Sequence, residues 1–405
     1  MPISIVLIIS VSIRRSQSIL KSILFGMLCG LSHLAADEFH YKNLLVGDRP
    51  SSMGGAYTAL SDDLYGLAYN PAGVLDSNQN IALTFNTFSF SSVILEDFAL
   101  DENEKLHDFK RNSSGIIPGY LGTLFPTCYG NLGFYLAVRD QSTEEIAERW
   151  KATGDFNEDI ILDTLNFYLA IDLNSIQYDA ALSYSKKISD QFSFGVSTAA
   201  QYFSKKEILF MSYNNDILNS KIESITGVRN TSTLIKFTPK FGLLFQSSHF
   251  RFGATYQHAL PIYRIYTDDY SKYTNQDDLL KDEKTFVTIR NQQNELPQEP
   301  HSVSLGLAFI LKNFILSGDL DYHSATKGTS NDIEDSTSYQ TLYPNKQVFN
   351  MAFGIEHVIS EYFTWRLGIF TDNSNKNIPM QEYDYIPYHE DSEIIGYTIA
   401  VKTKI

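Results

Sequence analysis

Gly47-Asp48-Arg49-Pro50-Ser51-Ser52-Met53-Gly54-Gly55-Ala56-Tyr57-Thr58-Ala59-Leu60-Ser61-Asp62-Asp63-Leu64-Tyr65-Gly66-Leu67-Ala68-Tyr69-Asn70-Pro71-Ala72-Gly73 is the stretch of this chain that reads as a specific fingerprint. Gly54, Gly55, Ala56 and Ala59 give a short helical segment an almost bare surface, so its backbone can lie close against whatever surrounds it. Pro71 then blocks helical continuation and pushes Asn70 to an extended backbone. The stretch reads as a compact plug of small residues with a sharp exit. An ordinary helix and turn at the edge of a soluble domain is the plain alternative.

Upstream of the plug lie Arg14, Arg15 and Lys21, an apolar core from Ile23 to Leu34, and small residues at Ala35 and Ala36 before Asp37-Glu38. That order is a secretory signal peptide over residues 1–36. Cys29 would leave with it, and Leu28 before it is too large for a lipobox. Cys128 then stands alone, with no intramolecular disulfide to make. After residue 36 no stretch is long and apolar enough to be a membrane helix. An exported chain of this kind can still be integral as a closed barrel.

Downstream, from Ile81, the pattern changes to alternation with a period of two, the strand signal. Val303, Leu305, Leu307 and Phe309 alternate with Ser302, Ser304, Gly306 and Ala308. Phe192, Phe194 and Val196 likewise oppose Gln191, Ser193, Gly195 and Ser197. A soluble sandwich also alternates. Here, however, the polar face carries Arg, Lys, Asp and Gln beside Gly and Ser, while the apolar face ends in Phe, Tyr or Trp. Apolar outside with aromatic girdles and polar inside is the pattern of an outer-membrane barrel. Asp319, Asp321, His323 and Arg251 are expected on the lumen face.

Short turns near Thr127 to Gly130, Ser189 to Asp190, Ser247 to His249, Lys312 to Asn313 and Ser360 to Glu361 take turns with long polar segments. Those segments are Ser91 to Ser114, Gln141 to Asn174, Leu209 to Thr231, Thr267 to Pro300, Ser324 to Asn345 and Asp372 to Glu393, expected as external loops. The alternation counts out to about 12 strands. The reading divides the chain into a signal peptide (1–36), an N-terminal hatch (37–78) and a transmembrane antiparallel β-barrel (79–405), an all-β fold with a small helical hatch in the lumen.

The Met53 to Ala59 run, the Asp62-Asp63 pair and the Asn70-Pro71-Ala72 that follows resemble the N-terminal hatch of the FadL-type (FadL/TodX-like) outer-membrane transporters of long-chain fatty acids and other hydrophobic compounds. The resemblance covers roughly the first tenth of the mature chain by motif and the rest by architecture. It implies about 14 strands, with a further pair hidden in Glu145 to Leu173 or Phe286 to Gln298. It also implies Met53, Gly54, Gly55, Asn70, Pro71 and Ala72 as hatch or gating residues. The chain ends on Ile405 instead of an aromatic residue, which departs from the usual assembly signal of such barrels.

The formal charge of −15 over 405 residues argues against a nucleic-acid partner. No nucleophile, metal or phosphate motif stands out, and none of the nine histidines pairs at zinc spacing, so neither an enzyme nor a cofactor is expected. Adjacent carboxylates such as Asp62-Asp63 on a polar turn are usually solvated or capping a helix.

Pro118 cannot donate to a ladder, and Gly119 and Gly122, followed by Gly133 in the next strand, leave gaps, so a kink in the barrel wall is expected there. The resemblance implies lateral exit of an apolar ligand at such a break. Steric relief around a packed hatch is the other reading. Phe98, Phe109, Tyr263 and Tyr266 are candidate loop aromatics for ligand capture. The expected function is passive transport of a hydrophobic small molecule by a monomer embedded in outer-membrane lipid. The alternatives are a PorV-like secretion or scaffold barrel with protein partners, and a general porin.

Overall fold

The computed structural model describes residues 2–12, 40–41, 45–77, 79–84, 88–100, 106–116, 119–157, 160–217, 220–278, 281–327, 345–375 and 393–404. In chain order the strands are β1 (Pro2–Ser12), β2 (Ile81–Thr84), β3 (Phe88–Leu100), β4 (Leu106–Ile116), β5 (Tyr120–Thr127), β6 (Gly130–Asn157), β7 (Ile160–Lys187), β8 (Phe192–Ile217), β9 (Ser220–Gln246), β10 (Phe250–His258), β11 (Leu260–Asp278), β12 (Lys281–Gln293), β13 (His301–Ile310), β14 (Phe314–His323), β15 (Val348–Ser360), β16 (Phe363–Asn373) and β17 (Glu393–Lys404).

All pairings are antiparallel, and the main sheet runs from β17 back to β2 through neighbours in sequence. Four limbs are written in two pieces: β2 with β3, β4 with β5, β10 with β11, and β12 with β13. Counted that way, β2 to β17 form twelve limbs among the described residues. This is the number read from alternation. The described parts of Glu145 to Leu173 continue β6 and β7, and Phe286 to Gln293 belongs to β12, so neither segment supplies a further pair. β1 lies on the outer edge of β17, with Pro2 opposite Lys404 and Ser12 opposite Ile394.

Alternation is realised as expected. Leu305, Leu307 and Phe309 on β13 are exposed, while Ser302, Gly306 and Ala308 are buried on the inner face. Phe349, Met351, Phe353 and Ile355 on β15 repeat the pattern against Val348, Asn350, Ala352 and Gly354. The outward apolar belt is bounded at each end by rings that meet across strands. At the short-turn end Phe192 meets Phe245 at 4.9 Å, Phe250 meets Phe309 at 5.5 Å, and Phe314 stacks on His357 at 3.8 Å. At the other end Tyr178 meets Tyr202 at 6.4 Å, Tyr256 meets His301 at 6.0 Å, and Tyr322 meets Phe349 at 4.9 Å. Exposed apolar surface between two aromatic girdles is stable only against hydrocarbon.

Several expected loops are strands instead. Ser91 to Ser114 lies mostly in β3 and β4, Gln141 to Asn174 in β6 and β7, Leu209 to Thr231 in β8 and β9, and much of Thr267 to Pro300 in β11 and β12. β6 and β7 are each 28 residues long, whereas about 9–11 tilted residues cross a bilayer. In the sequence of their distal halves polar residues fall at successive positions, so the period-two signal fades there. The ladder itself continues: Ile146 pairs with Ile171 and Leu169 with Met211. Of the other two expected loops, 328–344 and 376–392 lie outside the described residues.

Candidate functional site

The plug stretch packs inside the curled sheet. Met53, Tyr57, Leu60, Leu64 and Leu67 are fully buried, and residues 50–61 are buried without interruption. The local helix is shorter and earlier than the small-residue run suggested. It spans Asp48–Ser52, and Gly54 and Gly55 follow it with φ of 64° and 82°. Two consecutive left-handed glycines end a helix instead of extending it. A second short helix, Gly66–Tyr69, stops where Asn70 turns extended before Pro71.

The backbone of this hatch touches the wall through small residues on the inner face. A Cβ on Gly54 would come 2.9 Å from Ile369 N, one on Gly354 would come 2.7 Å from Met53 O, and one on Gly195 would come 2.5 Å from Ala72 N. The wall glycines pair with each other across strands, Gly195 with Gly242, Gly253 with Gly306, and Gly354 with Gly368. They form a belt of bare backbone at the level of the hatch.

One side of the hatch is held by charge. Arg49 grips Glu356 of β15 with Nε and Nη2, at 3.0 and 3.2 Å, and also donates to Asp62. Arg366 of β16 donates to the same Glu356, and Arg251 of β10 donates to Asp62 at 2.9 Å and to Leu60 O at 3.1 Å. Tyr57 donates its hydroxyl to Asp63, and its backbone N–H, with that of Thr58, donates to Asp319 of β14 at 2.8 Å each. Burial alone disfavours charge on Asp62, but Arg49 and Arg251 outweigh it and hold that carboxyl below the ordinary range. Burial pushes Asp63 up, and Arg49 and the Tyr57 hydroxyl only partly offset it. The pair is thus neither solvated nor a simple cap, because Arg49 of the hatch and Arg251 of β10, far along the chain, both meet it.

The other side is held mainly by neutral groups. Asn70, fully buried, donates from Nδ2 to Thr58 O at 2.9 Å and to Leu243 O of β9 at 3.0 Å, while its Oδ1 accepts from Ala72 N at 3.0 Å. Ser185 of β7 donates to Pro71 O at 2.6 Å, and Ser193 of β8 donates to Ala72 O at 2.9 Å. Lys240 of β9 adds a bond to Ala68 O at 2.5 Å. Contacts also come from both ends of the ladder that runs from β2 to β17. Thr84 of β2 bonds the Tyr65 hydroxyl at 2.6 Å, and Thr398 of β17 donates to Ser52 O at 3.0 Å. The sheet therefore wraps round the hatch.

All six hatch residues named from sequence lie in this cradle, divided between its two sides: Met53, Gly54 and Gly55 face β15 and β16 or the preceding chain, and Asn70, Pro71 and Ala72 face β7 to β9. At the expected wall kink, β4 ends at Ile116 and β5 begins at Tyr120, and Gly119 just before it accepts a backbone hydrogen bond from Val138 N of β6 at 3.1 Å. Pro118 lies outside the described residues. β3 and β4 pair with each other in a two-stranded ladder. Gly133 makes room for Leu67 of the hatch, and Gly122 for the Tyr120 ring, so both serve packing.

The proposed capture residues are on strands, not loops: Phe98 in β3, Phe109 in β4, Tyr263 and Tyr266 in β11. Tyr263 is exposed, whereas Tyr266 is buried, with the Arg264 guanidinium 5.5 Å from its ring centre. Sequence reading missed Arg49, Glu356, Arg366, Ser185 and Ser193. For Glu356 and Arg366 the available signal was charge at the inward positions of alternating strands.

The fold and cradle define a transmembrane antiparallel β-barrel of the outer-membrane type, closed internally by an N-terminal hatch. No family model and no curated protein matches the chain. Among solved structures it is similar to the P. putida toluene transporter TodX, with 11% identity over 88% of this chain and 97% of that chain and a TM-score of 0.53. A TodX monoaromatic hydrocarbon channel deltaS2 mutant matches at 11% identity over 88% and 98%, with a TM-score of 0.51. At that identity these likenesses show the fold, and the expected FadL-type barrel is the fold of this chain.

Proposed function

We propose that the protein is a passive transporter of hydrophobic small molecules across a bacterial outer membrane, gated by the hatch. The observation that carries this reading is the cradle: a hatch bonded to strands all round the lumen closes the barrel as an aqueous pore, so steady diffusion of hydrophilic solutes is disfavoured. Similarity to a structure described as a toluene transporter supports an apolar substrate. Residues 1–36 are removed on export, which frees the β17 edge for the limb from Ile81 to Leu100. Residues 37–78 act as the hatch and 79–405 as the barrel of a monomer. Met53, Gly54, Gly55, Asn70, Pro71 and Ala72 are the positions whose contacts change when the hatch shifts. Of Phe98, Phe109, Tyr263 and Tyr266, the exposed Tyr263 is the one placed to take part in capture as the structure stands, Tyr266 having first to leave its buried position, and the wall near Pro118 and Gly119 is where an apolar ligand would leave sideways into the bilayer.

The test is mass spectrometry of small molecules extracted from the purified barrel, beside a variant lacking residues 47–73. Enrichment of a hydrophobic compound in the intact protein alone is expected. An empty intact barrel with large steady single-channel currents overturns the reading in favour of a porin.

A further inference from the structure

The outer face of β15 to β17 carries a groove of about 380 Å³. Two cross-strand rows of exposed apolar side chains form its banks: Phe353, Ile369 and Tyr397 on one side, Ile355, Leu367 and Ile399 on the other. The rows are two residues apart along each strand, or ~6.6 Å. Elsewhere on the outer face rings reach across such an offset, as Tyr184 does toward Phe194 at 6.2 Å, although its register partner is Val196. Among the described residues no ring pair bridges these two rows.

The groove floor is the backbone at Gly368, with Thr398 beside it. Behind that floor stands the hatch, since a Cβ on Gly368 would collide with Gly54 N and with Met53. The groove is therefore sealed from the lumen and opens only outward, within the apolar belt between the girdles. Its banks carry no charge, and Tyr397 supplies the only polar side-chain tip among the six.

We propose that this groove is a fixed binding site for one acyl chain of a bilayer phospholipid. A hydrocarbon chain is the occupant that matches a wholly apolar trough facing the membrane interior, and the seal behind Gly368 makes the bilayer its source, not the transport route. Burying a chain there removes apolar surface of both partners from loose contact and fills a gap that mobile lipid packs poorly. The inference goes beyond transport and does not depend on it.

The test uses the intact barrel, stripped of lipid in detergent and then given phosphatidylethanolamine with two palmitoyl chains, with bound lipid counted by native mass spectrometry. Wild type is expected to hold one lipid, and Leu367→Trp, which fills the groove, to lower its occupancy at least threefold. Leu307→Trp, an equal enlargement elsewhere on the belt, is expected to leave it unchanged. Ile355→Phe fills the groove from the opposite bank and serves if Leu367→Trp does not fold. Equal occupancy in wild type and the groove-filling variant, an equal loss in Leu307→Trp, or no retained lipid in wild type overturns the proposal.

Discussion

Toward β10, β15 and β16 the hatch is held through charge, with Arg49 and Asp62 set against Glu356, Arg366 and Arg251. Toward β7, β8 and β9 it is held chiefly through neutral groups, with Asn70, Ser185 and Ser193 on backbone carbonyls. The two sides differ in what their removal exposes. A buried ion cluster has surrendered its hydration, so losing one member strands the others uncompensated, whereas losing a neutral bond leaves unpaired backbone carbonyls or an N–H and no uncompensated charge. The charged side is brittle and specific, and the neutral side yields gradually.

The largest effect is expected from Glu356→Ala, which leaves Arg49 and Arg366 without their shared carboxylate. It should loosen the hatch by about 3–5 kcal/mol, seen as faster hydrogen exchange of the Ala56 to Leu60 amides with the barrel spectrum unchanged. Unaltered exchange would erase the distinction between the sides. Next, Asn70→Ala removes three hydrogen bonds at the neutral side and should cost about 1–3 kcal/mol, with the exchange gain centred on residues 70–73 and not 56–60. Ser185→Ala and Ser193→Ala are each expected to cost ~1 kcal/mol and to couple in the double variant, since they hold adjacent carbonyls of one turn.

The smallest effect is that of pH. Asp62 is held below its ordinary range, so its contribution is full at neutral pH and is lost as pH falls through that lowered value. Asp63 is held above its range, so acidification through that raised value first relieves the cost of keeping it charged. With rates taken relative to the intrinsic exchange rate at each pH, protection at Ala56 to Leu60 should therefore rise slightly and then fall as pH drops, while protection at residues 70–73 stays flat. A monotonic response on both sides would contradict the separate assignments.

Much of the barrel was legible because a strand with one face in lipid and one in a lumen must alternate. The short turns announced themselves between such strands. The Leu305-Gly306-Leu307-Ala308-Phe309 run states both faces directly. The distal halves of β6 to β9 were not legible, since polar residues at successive positions carry no period, and they read as loops. The plug was legible as small residues before Asn70-Pro71. Its helix was misplaced, because Gly54 and Gly55 serve as close-approach and left-handed positions instead of helix interior.

The chain by itself determined an outward apolar belt, girdled by aromatics, and a small-residue segment able to nest within it. Period and side-chain size are local properties, written into neighbouring residues. Only the tertiary structure decided how the hatch is fastened. Arg49 and Glu356 lie 307 residues apart, and Asp319 meets Tyr57 across 262. Strand register and the curl of the sheet alone bring such groups to one place, and no local pattern encodes which inward charge will face which.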